Sequence, residues 1–342
     1  MKSHSTGKYI HIKKLCNHRN QLQMLAIDQR PPIFNLIKNK KKKYTFEDVV
    51  EFKKQISLNL SHLSTAILMD PVYSIPNLVT TSKSNGLIIT LEDHAFAEKG
   101  RGRYSKNIKN WTVEKIKKIG GDAVKVLAWY RPDADKKSIQ HQKKYIETIG
   151  KQCVKYDIPF LLELLVYPFH NEAGYSKDYV EQKQKKQNHV IESVKEFSKK
   201  KYNVDIFKLE SPVDSSKLES DKFSKSTTAA FKKLSEATNN IPWVMLSSGM
   251  SKKSFLNCLK LAYKNGASGY LAGRTIWLDS FKDFCKINFT NEKYCTVRLD
   301  DDDGLNKNFI ESLSKYKETQ NKTVITHPRG QLVKLEKNKI IY

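Results

Sequence analysis

The chain has 342 residues, 39% of them hydrophobic, enough for the core of one large domain or two ordinary ones. No apolar run reaches the roughly 18–20 residues of a membrane span, the N-terminus lacks the apolar stretch of a secretory signal, and five scattered cysteines (Cys16, Cys153, Cys258, Cys285, Cys295) offer neither a CxxC pair nor metal-ligand spacing, so a reduced, cytoplasmic, metal-free protein is expected. The formal charge of +25 comes mostly from dispersed lysines, as at 40–43, 183–186 and 199–201, with few of the arginines that read phosphates and bases bidentately; this excess reads as a solvated surface, with no nucleic-acid or membrane partner.

Eight apolar stretches follow one another, each trailed by a turn and an amphipathic segment. They are QMLAIDQ (23–29), STAILMDP (64–71), GLIITLE (86–92), AVKVLAWY (123–130), PFLLELLVY (159–167), IFKLESP (206–212), PWVMLSSG (242–249) and GYLAGRTIW (269–277). Nearly continuous apolar strands alternating with helices predict a parallel sheet covered on both faces. Eight units fit a (β/α)8 TIM barrel; an open doubly wound sheet is the rival. The C-terminal halves of these strands carry Asp28, Asp70, Glu92, Lys125, Glu163, Lys208 with Glu210, Ser247 with Ser248, and Arg274. A barrel gathers all such ends on one face, whereas an open sheet gathers only those at its switch point, so the pattern favours the barrel.

Residues 1–286 are therefore expected to form the barrel and 287–342 a C-terminal extension, helical around FIESLSKYKE and ending in a basic tail. The run LDDDDG (299–304) lacks the alternating ligands and the distal Glu of a calcium loop and reads as a turn or helix cap. EKGRGRYSK (98–106) lacks the strand-to-helix setting of a dinucleotide fingerprint and reads as a flexible basic loop. His94 and His170 have no triad partner at readable spacing, although His94 follows a strand end and could line a cavity.

Alternation along a strand places Lys125, Leu127 and Trp129 on one face of strand four. Leu161, Glu163, Leu165 and Tyr167 share a face of strand five, and Ile206, Lys208 and Glu210 share one of strand six. With these faces inward and neighbouring strands about 4.8 Å apart, Lys125, Glu163 and Lys208 form one polar cluster. Desolvation and a second nearby cation both depress a lysine's pKa, leaving free amine to attack a carbonyl, and an adjacent carboxylate can move protons. A structural ion-pair layer would use the same residues. Phosphate handling separates the two readings: Ser248 and Gly249 after strand seven, with Gly273 and Arg274 after strand eight, are what a barrel phosphate site requires.

These stretches resemble the class I tagatose-1,6-bisphosphate aldolases and their relatives. The likeness runs in order through LAIDQR, ILMDP, KVLAWYRPDAD, YIETIGKQCVKYDIPFLLELLVY, VDIFKLESPV, LSSGM and LAGRTIW, from about residue 22 to 280. The resemblance implies that Lys208 is the Schiff-base lysine and Glu163 the acid/base carboxylate, including for the C4 hydroxyl proton, with Lys125 beside them. It implies that Asp28, Gln29 and Arg30 face substrate, Arg30 toward the far anion, and that Ser248, Gly249, Gly273 and Arg274 hold the ketone-side phosphate. Glu92, Arg131 and Glu210 are also taken as substrate-binding, and no metal or cofactor is implied. The chain departs from the family at Pro31 and Pro32 after DQR and at Trp129 and Arg131 in WYRPDAD. An extra arginine would suit a sulfonate as well as a phosphate. The expected function is cleavage of a ketose 1-phosphate or 1,6-bisphosphate to dihydroxyacetone phosphate and an aldehyde. The alternatives are a sulfofructose-1-phosphate aldolase giving sulfolactaldehyde and a non-catalytic sugar-phosphate-binding barrel. The expected partner is thus a small sugar phosphate; a homo-oligomer is compatible with this reading.

Overall fold

In a computed structural model, residues 4–39, 43–75, 85–172, 174–175 and 187–279, and the backbone of 334–336 and 339–341, are described. The chain divides into two units, Met1–Lys282 and Asp283–Tyr342. In the first, eight parallel strands close into a barrel: β1 (Leu22–Ala26), β2 (Ala66–Met69), β3 (Gly86–Thr90), β4 (Ala123–Trp129), β5 (Phe160–Leu165), β6 (Ile206–Leu209), β7 (Trp243–Met245) and β8 (Gly269–Ala272). Each pairs with its sequence neighbours, and β8 closes on β1 through Leu22 opposite Gly269 and Leu25 opposite Ala272. All eight expected strands are present and the open sheet is excluded.

The helices are α1 (Thr6–Lys14), α2 (Pro31–Lys38), α3 (Phe46–Leu60), α4 (Val113–Lys118), α5 (Lys136–Lys155), α6 (Gln187–Phe197), α7 (Lys225–Ala237) and α8 (Lys252–Lys264). Six of these eight, all but α2 and α6, begin at a residue whose side chain caps the first turn. Thr45, with Asp48, makes a capping box for α3; Thr112, Asp135, Ser224 and Ser251 cap α4, α5, α7 and α8. Pro31 and Pro32 form the first turn of α2, directly after its N-cap Arg30, where proline's fixed φ suits the helix and its missing N–H has no partner to lose.

Two readings are corrected. Strand eight stops at Ala272, and residues 274–279 are helical, so Thr275, Ile276 and Trp277 lie past the barrel wall. A Cβ on Gly273 would stand 2.7 Å from Ala26 O, so glycine lets the chain pass close against β1 as it turns; Trp277 Nε1 then donates to the same oxygen at 3.1 Å. The GRGR segment is the connecting turn and the start of the second strand of a hairpin rather than an unpaired loop. Residues 97–98 and 103–104 pair as an antiparallel hairpin, and the buried Arg103 guanidinium lies 4.1, 4.6 and 4.7 Å from the ring centroids of Phe96, Trp129 and Tyr167.

The barrel interior is layered. Leu22, Met24, Ala66, Leu68, Ile88, Ala123, Leu161, Ile206, Val244 and Leu271 form an apolar floor, joined by Leu15 from the end of α1. The sequence reading missed α1, because it is anchored by polar rather than apolar residues. Ser5 donates to Asp157, Lys8 Nζ to Asp205 at 2.6 Å, and His11 Nδ1 lies 2.8 Å from Asp122 Oδ1; these aspartates precede β5, β6 and β4. In the second unit, Lys334–Glu336 and Lys339–Ile341 pair as antiparallel strands. The Asp run at 300–303 and the expected helix at FIESLSKYKE lie outside the described residues.

Asp205 ties α1 to the barrel, and it also accepts the Phe160 N–H at 2.9 Å. Burial opposes its charge, but His4, Lys8 and that N–H prevail and hold its carboxyl below the usual range. Asp205→Ala leaves the buried Lys8 ammonium unpaired and should cost about 3–5 kcal/mol in denaturant titrations near neutral pH. A depressed carboxyl contributes stability above its unfolded pKa and loses it as pH falls, so the difference from the parent should shrink below about pH 4.

Candidate active site

Above the apolar floor the strand ends carry charge. Lys125, on β4, is buried, and its Nζ lies 2.9 Å from Asp28 Oδ2, 2.7 Å from Glu92 Oε1 and 2.9 Å from Glu163 Oε2. These carboxylates come from beyond β1, beyond β3 and from within β5. Glu163 is registered against Lys208 of β6, and its Oε2 also accepts from Lys208 Nζ at 2.9 Å. Both lysine Nζ atoms therefore share one carboxylate oxygen. Thr90, at the end of β3, donates to Asp28 Oδ2 at 3.4 Å.

Burial on its own would drive the charge off Lys125. The fields of Asp28, Glu163 and Glu92 overcome that cost and hold its pKa well above the usual lysine value. Asp28 is also buried, yet Lys125, Lys208 and Arg30 outweigh the desolvation and hold its carboxyl well below the usual range. Glu92 goes the other way: desolvation exceeds the pull of Lys125 and Arg30, and its carboxyl is raised. Lys125 is thus a fixed charge bound by carboxylates rather than a bare cation beside Lys208.

The cluster opens into a cavity of about 660 Å³ at the C-terminal ends of the strands. Asp28, Gln29, Arg30, Glu92, Lys125, Glu163 and Lys208 line it, as do Ser248, Gly249, Gly273 and Arg274 from the loops after β7 and β8. Ser248 and Gly249 are both left-handed (φ 47° and 76°), which makes a tight backbone turn that glycine permits. The Arg274 guanidinium carbon lies 3.7 Å from where a Gly249 Cβ would stand, so this turn and this guanidinium face one another. Among the buried side-chain atoms without a hydrogen-bond partner are Gln29 Oε1, Arg30 Nε and Glu92 Oε2, all on residues that line the cavity.

Two expected substrate ligands lie elsewhere. Arg131 does not line the cavity: it is buried, stacked 3.7 Å from the Phe169 ring centroid, and bonded to Asp133, Glu172 and Tyr167 O. It follows the end of β4, where strand alternation no longer fixes direction. Glu210 likewise lies past the end of β6. Its Oε1 accepts the Val166 N–H at 2.8 Å, continuing the edge of β5, and it is absent from the cavity lining. Asp70 also leaves the converging set, because it pairs with the buried Lys53 of α3 and caps the turn at Val72 and Tyr73. His94 lines the cavity. Phe96, Glu98 and His170 line it too; their sequence signal was no more than a place in the loops after strands three and five.

Among the described residues no group of three or more His, Cys, Asp or Glu has metal-holding geometry, and no helix is long and apolar enough to cross a membrane. A family model for the DeoC/LacD family aldolases matches residues 22–279, the whole barrel. Tagatose 1,6-diphosphate aldolase 1 of Enterococcus faecalis is 34% identical over 290 residues, covering 83% of this chain and 88% of that one. The tagatose 1,6-diphosphate aldolase of Lactococcus lactis subsp. lactis is 31% identical over 315 residues, covering 89% and 96%. Among solved structures, an archaeal fructose-1,6-bisphosphate aldolase, with its catalytic Lys covalently bound to the carbinolamine intermediate, superposes with a TM-score of 0.53 at 15% identity. It covers 82% of this chain and 96% of that one, a likeness of fold.

Replacing Lys125 tests whether the carboxylates depend on it. Lys125→Met leaves Asp28, Glu92 and Glu163 buried without their shared cation and should cost about 3–5 kcal/mol near neutral pH. The abandoned carboxyls then bind protons more tightly folded than unfolded, so the variant's stability in denaturant should rise as pH is lowered from about 7 to about 5. A cost that does not change with pH would refute this account of the cluster.

Proposed function

The chain belongs to the DeoC/LacD family of aldolases, and we propose that it is a metal-independent class I enzyme that cleaves a ketose phosphorylated on C1. Tagatose 1,6-bisphosphate, giving dihydroxyacetone phosphate and glyceraldehyde 3-phosphate, is the substrate the relatives favour. The observation that carries this reading is a buried Lys208 side chain 2.9 Å from the Glu163 carboxylate, in one cavity with the Ser248–Gly249 turn and Arg274.

In this reading Lys208 Nζ, as free amine, attacks the C2 ketone. Glu163 moves the proton that lets the carbinolamine oxygen leave as water, forming an iminium. A carboxylate base takes the C4 hydroxyl proton, the C3–C4 electron pair flows toward the iminium nitrogen, and the aldehyde departs. Protonation of the enamine at C3 and hydrolysis then release dihydroxyacetone phosphate and restore the amine. The fixed charge of Lys125 keeps Glu163 oriented and ionised partners close to the electron sink. The turn at Ser248 and Gly249 presents backbone N–H groups to the C1 phosphate, and Arg274 adds charge-assisted donors. Arg30, with His94 and His170, supplies positive or protonatable groups for an anion on the far half. A sulfonated aldehyde half is the weaker reading, because Arg131 is already held by two carboxylates outside the cavity.

Borohydride reduction in the presence of dihydroxyacetone phosphate should leave a covalent adduct on Lys208, absent from Lys208→Met and retained in Lys125→Met. No adduct on Lys208 would refute the Schiff-base assignment, and equal loss in both variants would leave Lys208 without its distinctive role. Arg274→Ala should raise KM for tagatose 1,6-bisphosphate by roughly 10–100-fold with a smaller change in kcat, the worth of one or two charge-assisted hydrogen bonds. An unchanged KM would remove Arg274 from the phosphate site. Parallel assays of tagatose 1,6-bisphosphate, fructose 1,6-bisphosphate and sulfofructose 1-phosphate identify the preferred ketose.

A further inference from the structure

A retro-aldol cleavage moves protons at two separate places, and the cluster holds more carboxylates than one of them needs. Once Lys208 has fixed C2 as an iminium, O4 lies three bonds farther along the substrate. Glu163 stands on the strand next to Lys208, registered directly against it, and its Oε2 already accepts from Lys208 Nζ and is ion-paired with Lys125 at 2.9 Å. With Glu163 already engaged by Lys208 and Lys125, two other carboxylates around Lys125 line the same cavity and are candidates for the base at O4, Asp28 and Glu92.

Their surroundings differ. Asp28 Oδ2 accepts from Lys125 and from Thr90, and its carboxyl is strongly acidified, so it takes up a proton poorly. Glu92 spends one oxygen, Oε1, on Lys125. Its Oε2 is buried with no partner, on a residue that lines the cavity. An unpaired buried carboxylate oxygen is costly, and a substrate hydroxyl would relieve that cost. Burial also raises the proton affinity of this carboxyl, which suits a general base better than the depressed Asp28.

We propose that Glu92 is a second catalytic acid–base group, whose Oε2 takes the C4 hydroxyl proton during cleavage and returns it to the aldehyde oxygen during condensation. The assignment rests on the class I reading above and transfers to Glu92 a step that the sequence resemblance implied for Glu163. As Oε2 binds the proton, the O4–H bond breaks and the O4 electrons form the C4 carbonyl. The C3–C4 bond breaks, its pair forms the C2–C3 double bond, and the iminium π pair returns to Lys208 nitrogen. The products are an aldehyde and a neutral enamine, with no change of oxidation state overall. The proton on Glu92 passes to water as the aldehyde leaves, while Glu163 delivers a solvent-derived proton to C3.

The two proton sites can be read separately. Dihydroxyacetone phosphate alone in deuterium oxide exchanges its C3 hydrogen through the same enamine, without any C4 hydroxyl. Glu92→Gln keeps an oxygen for Lys125 but cannot accept a proton. Its cleavage of tagatose 1,6-bisphosphate should fall about 10²–10⁴-fold while exchange on dihydroxyacetone phosphate stays within about threefold of the parent. Glu163→Gln should lose both. Cleavage by Glu92→Gln at the parent rate would overturn the proposal. So would loss of exchange and cleavage in equal proportion, in Glu92→Gln and Glu92→Asp alike, which would make Glu92 a structural member of the Lys125 cluster. A parent that neither exchanges nor is trapped on Lys208 would instead refute the Schiff-base reading, and this proposal with it.

Discussion

A lysine ammonium buried among three carboxylates is stable only while the strands that carry them hold their register. Lys125 imposes that condition on this barrel. Its partners arrive from the ends of β1 and β3 and from within β5, and Glu163 extends the cluster to Lys208 on β6. A one-residue slip of any inward-facing strand would turn its charged residue outward and leave uncompensated charge behind. Below, the apolar floor keeps water from the cluster, which makes each attraction stronger and each missing partner more costly.

The same requirement divides the labour among the ionisable groups. Lys125 is held charged, Asp28 is held ionised, and Glu92 is pushed toward its protonated form by burial that its cations do not fully offset. Three carboxylates around one ammonium thus acquire different proton affinities, and a multistep proton-transfer reaction needs such differences. Lys208 meets Glu163 at the edge of this arrangement, where the cavity begins.

Around the cavity mouth, guanidinium groups serve as structure more than as recognition. Arg131 joins the loop after β4 to Glu172 beyond β5, stacked on Phe169. Arg103 binds the hairpin at 97–104 to the Trp129 and Tyr167 rings, with Glu98 on its Nε. Each is buried with its donors directed at protein, so a count of arginines near strand ends overstates the charge offered to a ligand. Arg30 and Arg274 do line the cavity.

Much of this was legible in the residues. The eight apolar strands and their alternation with helices follow from local geometry, and local geometry is written in sequence order. That Lys125, Glu163 and Lys208 each share a face with their strand neighbours two residues away follows from the two-residue period of a strand, and the closed barrel turns those faces inward. The reading failed where that period ends. Arg131 and Glu210 lie past the last paired residues of β4 and β6, and their direction is set by partners distant in sequence, Glu172 and Val166. Helix α1 escaped notice because its anchors, Asp122, Asp157 and Asp205, are gathered by the barrel and not by sequence spacing. The sequence by itself determined the eight-unit strand and helix order and which lysines and carboxylates share a strand face. Only the tertiary structure decided that Lys125 binds three carboxylates and that Glu92 keeps an oxygen unpaired, because those facts depend on distances between strands that no single strand encodes.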